Sequence, residues 1–115
     1  MERVPEPELM DEPAQARAYS EADFAVPHQA FADEVARRFR EVGDEEPVGW
    51  DVLDLGCGPA DITVRVARLL PACRVTGIDA VPEMLRLGRA RVHDAGLEDR
   101  VVLEQVHLPL SLIHI

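Results

Sequence analysis

Val52-Leu53-Asp54-Leu55-Gly56-Cys57-Gly58-Pro59-Ala60-Asp61 is a short apolar run that breaks into a glycine-rich turn. The run from Trp50 to Leu55 reads as a β-strand, and Gly56 to Ala60 as a tight turn. Residues 61–70 (DITVRVARLL) then read as a helix, with Ile62, Val66, Leu69 and Leu70 on one side and Pro71 as its stop. Glycines between a strand and a helix let a ligand approach the backbone closely. A bare Gly-x-Gly is weak evidence, and three carboxylates sharpen it. Asp54 lies two residues before the first glycine, where it would face the mouth of the turn, suit a cationic or hydrogen-donating group and repel a phosphate. Asp61 stands where a Gly-x-Gly-x-x-Gly pattern has its third glycine. A carboxylate in the first helical turn can cap free N–H groups there and fill the place a pyrophosphate needs. Asp79 ends the next strand, 21 residues after Gly58, where an acid can hold both hydroxyls of a ribose. Taken alone, Asp79 reads equally as a helix cap. The three together describe a nucleoside site without phosphate demand and with a liking for positive charge. S-adenosylmethionine has that profile: an adenosine, a sulfonium and an amino-acid group.

Outward from the turn, Cys73 to Ile78 (CRVTGI) is a second strand. Residues 82–95 form a helix with Pro82 at its start, Leu85 and Val92 on one face, and Gly96 as its stop. Arg100 to Leu103 begins a third strand. Strand, helix, strand, helix, strand with short loops predicts a βαβαβ unit with parallel strands and right-handed crossovers. Upstream, residues 1–10 are acidic and broken by prolines, and residues 11–24 suggest a short helix. Residues 27–40 open with Pro27 and place Phe31, Val35 and Phe39 at four-residue spacing, an amphipathic stripe. Residues 43–49 form a linker, with Asp44, Glu45 and Glu46 as a solvated run.

The chain has 115 residues and room for one domain. All 12 basic residues are arginine, against 22 acidic ones, for a formal net charge of −10. That balance argues against a nucleic-acid partner and against an anionic membrane surface, both of which attract basic proteins. Thirteen of the acids and only five of the arginines fall in residues 1–46, so the excess charge sits in the front segment. No run approaches the roughly 18 apolar residues of a membrane span, and the first ten residues lack the pattern of a secretory signal. With just Cys57 and Cys73, a reduced, cytoplasmic setting is expected. Cys57 reads as a small residue in a tight turn rather than a nucleophile, since no base is evident nearby, and Cys73 as a buried strand residue. His28, His93, His107 and His114 have no metal-binding spacing, and His28 reads as a surface or helix-start residue ahead of a cleft-lining one. Trp50 reads as a shield for the first strand.

Residues 52–104 resemble class I S-adenosylmethionine-dependent methyltransferases. VLDLGCGPAD is similar to the family's first motif, and VTGIDAVPEML to its second strand and following helix. The resemblance implies a Rossmann-like, doubly wound α/β fold, of which this chain supplies the N-terminal half: a helical arm, then βαβαβ. It implies S-adenosylmethionine as cofactor, with Gly56 and Gly58 approaching its methionine portion, Cys57 between them, and Asp54 near its amino group. Asp79 would take the ribose, and Ala80 and Met84 would lie beside the adenosine. Ala60 departs from a third glycine that many members carry, and alanine is small enough for close packing there. The front arm resembles the N-terminal segment of a bacterial subset of the family, which covers the cofactor site and brings an aromatic near the ligand. Tyr19 and Phe24 are the candidates.

Three segments follow from this reading: 1–46 as arm and site cover, 47–109 as the cofactor-binding half domain, and 110–115 as a tail. The tail, LSLIHI, fits no family pattern, looks similar to translated sequencing adapter, and is expected to be non-native, with the reading frame cut. The resemblance implies methyl transfer to an acceptor, expected to be a small molecule, with the acceptor-binding half missing here. A fragment of this kind is expected to be weakly stable and inactive, with its third strand left as an apolar edge. The competing expectations are a non-catalytic S-adenosylmethionine-binding module and an NAD-dependent oxidoreductase.

Overall fold

The computed structural model describes residues 13–14 and 24–107 of the chain. In these, helix α1 (Ala25–Gly43) precedes β1 (Asp51–Leu55), α2 (Asp61–Leu69), β2 (Arg74–Asp79), α3 (Pro82–Asp94) and β3 (Val101–Gln105). The three strands are parallel and adjacent in the order β1-β2-β3. The expected βαβαβ unit is therefore present, with each of its elements within about two residues of its predicted bounds; the helix expected over 27–40 starts two residues earlier and runs three longer, and the short helix expected over 11–24 lies largely outside the described residues.

Strand alternation divides the sheet into two faces. Val52, Val75, Val101 and Leu103 point to one face, where Val64 and Ala67 of α2 and Leu85 and Val92 of α3 pack on them. The predicted apolar face of α3 is borne out by Leu85 and Val92, 1% and 4% exposed. α2 has two apolar sides. Ile62, Val66, Leu69 and Leu70 turn away from the sheet toward α1, meeting Ala32, Ala36, Val35 and Phe39. The ring of Trp50 stands beside Phe39, with centroids 5.7 Å apart, and so shields the start of β1 as expected.

The stripe expected on α1 needs correction. Its buried residues are Ala32 and Ala36, with Val35 and Phe39 beside them, while Phe31 is 56% exposed. Alanines let α1 and α2 approach closely, and Phe31, next to Ala32 but turned about 100° round the helix, points away from that contact. Arg40 of α1 donates to the Leu69 carbonyl (2.7 Å), and Arg100 donates to the carbonyls of Ala67, Leu70 and Cys73 (2.9–3.2 Å). Of these, the Ala67 and Leu69 carbonyls belong to the last turn of α2, which leaves them without helical partners, and those of Leu70 and Cys73 belong to the turn that follows it. Cys73 is buried, just before β2, and its thiol lies 3.5 Å from the Pro47 carbonyl.

Candidate functional site

The turn after β1 is closed by its own backbone. The N–H groups of Gly56 and Cys57 both donate to the Ile78 carbonyl (2.8 and 2.9 Å), and that of Ala60 to the Cys57 carbonyl (3.0 Å). The N–H of Gly58 donates to Asp79 Oδ2 (2.8 Å). The turn needs φ of +72° at Gly56 and +54° at Gly58, values that cost a residue with a Cβ. Ala60 also adopts a left-handed conformation, at φ +67°, and is fully buried. A methyl fits the packing there, as expected, but the backbone geometry favours the glycine it departs from. Behind the turn, Gly77 of β2 allows the close approach. A Cβ added there would stand 2.8 Å from Cys57 Cβ and 2.8 Å from Leu103 Cδ2.

Asp54 projects from β1 on the helix-covered face and accepts a hydrogen bond from Thr63 Oγ1 of α2 (2.6 Å). Burial pushes its carboxyl above the usual aspartate range against that bond, and the charge of Asp79 adds to the rise. Cys57 is 8% exposed, and burial, with the charges of Asp54 and Asp79, pushes its thiol up to about 12. A thiol so placed is protonated at neutral pH, so the small-residue reading stands on geometry too. Asp79 uses one oxygen for Gly58 and the other for the Val81 N–H (2.9 Å). It does not cap α3, whose N-cap residue is Val81 without a side-chain bond.

Asp61 corrects an expectation. It does not cap α2, whose N-cap is Ala60 with no side-chain hydrogen bond. Instead Asp61 meets side chains from three helices: His28 Nδ1 at 2.7 Å from α1, Arg65 Nε at 3.0 Å from α2 and Arg91 at 3.2 Å from α3. Burial raises its carboxyl, but the bonds from Arg65 and His28 and the charges of Arg65 and Arg91 outweigh burial and hold it below the usual range. The guanidinium of Arg65 reaches on to Gln29 of α1 (2.9 Å), which ties the two helices twice. His28 stands at the start of α1, as one half of the expectation had it, but it is not the surface residue of the other half. Its side chain is 19% exposed, and its ring stacks on Phe24 with centroids 5.2 Å apart.

These pieces enclose a pocket of about 250 Å³. Asp54 to Pro59, with Asp61 and Ile62, form one wall, and His28 and Phe31 of α1 form the other. Asp54, Gly56, Cys57 and Gly58 are thus brought together as the sequence predicted. Asp79 and Ala80 lie on the far side of Gly58, at the end of β2, and Met84 is buried at the start of α3. Tyr19 lies outside the described residues, and Phe24 reaches the pocket only through its stack on His28. A roomier hollow, about 450 Å³, opens at the other end of the strands beside Asp51 and Arg74. Ligands of open α/β sheets bind at the carboxyl ends of the strands, which is where the first pocket lies. Sequence reasoning expected residues 1–46 to cover the site but named Tyr19 and Phe24 for it, not His28 and Phe31. The signal was there in His28 and Phe31, three residues apart on a helix and so on one face.

Residues 52–111 match the family described as a methyltransferase domain. The chain belongs to this family of S-adenosylmethionine-dependent methyltransferases. Among curated relatives, a trans-aconitate 2-methyltransferase of Rhodococcus jostii (strain RHA1) is 40% identical over 74 residues, covering 61% of this chain and 28% of that one. A ubiquinone/menaquinone biosynthesis C-methyltransferase of Geobacter sp. (strain M21) is 41% identical over 54 residues, covering 46% and 23%. A solved protein of Methanococcus maripaludis, assigned to the S-adenosylmethionine-dependent methyltransferases, superposes with a TM-score of 0.73 at 20% identity over 93% of this chain and 46% of its own. That likeness confirms the Rossmann-like fold. A [4+2]-cyclase superposes at 0.58 with 31% identity, covering 70% of this chain and 29% of that one. The chain therefore spans about a quarter of the length of those two curated relatives and less than half of these two solved neighbours. The family match runs to residue 111, two residues into the segment expected to be foreign, and that segment lies outside the described residues. No described helix is long and apolar enough to cross a membrane.

Proposed function

We propose that residues 47–109 hold S-adenosylmethionine, that the front segment covers it, and that the whole protein transfers its methyl group to a small-molecule acceptor. The observation that carries this reading is a turn whose N–H groups are already committed, set between two carboxylates. A phosphate or dinucleotide would need those N–H groups free. A ligand with a sulfonium, an ammonium and a ribose needs carboxylates instead.

In this reading Gly56, Cys57 and Gly58 form the floor under the methionine portion, and Asp54 faces its ammonium. A carboxylate oxygen accepts two hydrogen bonds, and each oxygen of Asp79 has spent one. Two lone pairs remain for two ribose hydroxyls. Ala80 and Met84 flank the adenine side. When bound, the donor supplies an already activated methyl group. The chain's residues then contribute orientation and the exclusion of water. The small-molecule acceptor is supported by the curated relatives, whose names specify trans-aconitate and quinone biosynthesis.

A second reading keeps the cofactor site and drops methyl transfer. The likeness to a [4+2]-cyclase favours it. Calorimetry with S-adenosylhomocysteine on the chain and on Asp79→Ala tests the shared part. The expected result is binding that weakens about tenfold or more in the variant, since one lost ligand bond of ~1.4 kcal/mol has that effect. A folded chain that ignores S-adenosylhomocysteine and binds NADH would overturn it. Turnover by the whole protein separates methyl transfer from the second reading.

A further inference from the structure

The pocket has an imbalance of charge on its walls. Its acids are Asp54 and Asp61, and among its described lining residues His28 alone can carry a positive charge. The amino-acid end of the proposed donor carries both an ammonium and a carboxylate. Asp54 complements the ammonium. The carboxylate finds no free donor in the N–H groups of Gly56, Cys57, Gly58 and Ala60, all of which are taken.

His28 is held in one orientation by two contacts. Its Nδ1 lies 2.7 Å from Asp61 Oδ2, and its ring is stacked on Phe24. An ionised carboxylate only accepts hydrogen bonds, so Nδ1 carries the proton that Asp61 receives. That leaves Nε2, which bonds to none of the described residues, on a ring that lines the pocket. We propose that His28, oriented by Asp61, receives the α-carboxylate of the bound donor through Nε2–H. Donating from both nitrogens, the ring carries the charge that makes this bond charge-assisted. Helix α1 thereby brings a cation to a turn that lacks one. The inference rests on the S-adenosylmethionine reading above.

Two ligands that differ in one feature test it. S-adenosylhomocysteine has the amino-acid end, and 5′-methylthioadenosine shares the nucleoside and thioether without it. Calorimetry of both is run on the whole chain, on His28→Ala and on His28→Gln, which keeps an N–H donor. His28→Ala is expected to weaken S-adenosylhomocysteine about tenfold to a hundredfold, the range for a bond to a charged group, and to leave 5′-methylthioadenosine within about twofold. His28→Gln is expected to recover part of the loss, and Asp61→Asn to reproduce part of it. Unchanged S-adenosylhomocysteine affinity in His28→Ala would overturn the proposal. Equal weakening of both ligands would do the same, because His28 would then only shape the fold. Failure of the unaltered chain, shown folded by circular dichroism, to bind either ligand removes the cofactor reading itself, so the two failures are distinguishable.

Discussion

The two faces of the sheet are built from the same kinds of residue and meet different fates. On one face Val75, Val101 and Leu103 are 1–6% exposed under α2 and α3. On the other, Leu53, Leu55 and Val102 are 51–59% exposed, and only Ile78 of the central strand is buried. The covered face also holds the chemistry, since Asp54 and the Cys57 turn lie against α2 and Gly77. Burial there does two things at once. It supplies the hydrophobic stabilisation, and it lifts the Asp54 carboxyl into the state that a cationic ligand would relieve. The open face has neither effect. An apolar residue stabilises a fold by what it is covered with, not by its identity.

The largest expected effect breaks the comparison directly. Leu103→Ala should cost about 2–5 kcal/mol, the range for a fully buried leucine, read as a lowered urea midpoint. If it costs no more than the same change at Leu53, the two faces are equivalent and the contrast fails. Next, Arg100→Met removes the donors to three carbonyls at the end of α2 and in the turn after it, and should cost about 1–3 kcal/mol. Thermal melts should show that loss while the pocket's ligand affinity holds.

Asp54→Asn sharpens the link between burial and function. The folded state raises this carboxyl, so its contribution to stability is full below the unfolded aspartate range and is lost as pH rises from there through the higher folded-state range. Asparagine avoids that decline and keeps an acceptor for Thr63. The variant should be more stable at pH 7 by about 0.5–1 kcal/mol and indistinguishable from the unaltered chain at acid pH. Its affinity for S-adenosylhomocysteine should fall at the same time. Melts at pH 3.5 and 7 that shift equally would sink the argument. The smallest effect belongs to the open face: Leu53→Ser should change stability by no more than about 0.5 kcal/mol and improve solubility.

Much of this was legible in residues 50–105. Strand runs, the glycine turn, Pro71, Pro82 and Gly96 punctuate the chain so that each element could be bounded locally. Asp54, Gly56, Cys57 and Gly58 were legible as a site because a strand-turn-helix leaves them little freedom of place. The misses share a cause. Phe31 matched a helical stripe whose Val35 and Phe39 do pack, but closeness to α2 put Ala32 and Ala36 at the contact and left Phe31 out of it. Asp61 had the type and position of a cap, yet its carboxylate went to His28, Arg65 and Arg91, which come from three different helices. His28 looked like a surface residue because nothing in its neighbourhood of sequence names Asp61, 33 residues on.

The sequence by itself determined the order of elements, the parallel βαβαβ unit, the turn and the carboxylates around it. Those features depend on periodicity, turn chemistry and residue spacing, which act over a few neighbours. Tertiary structure alone decided which face of the sheet is covered, which residues of α1 wall the pocket, and that Asp61 binds side chains and not its own helix. Those outcomes depend on which surfaces meet, and a carboxylate settles on the strongest donors that folding brings within about 3 Å of it.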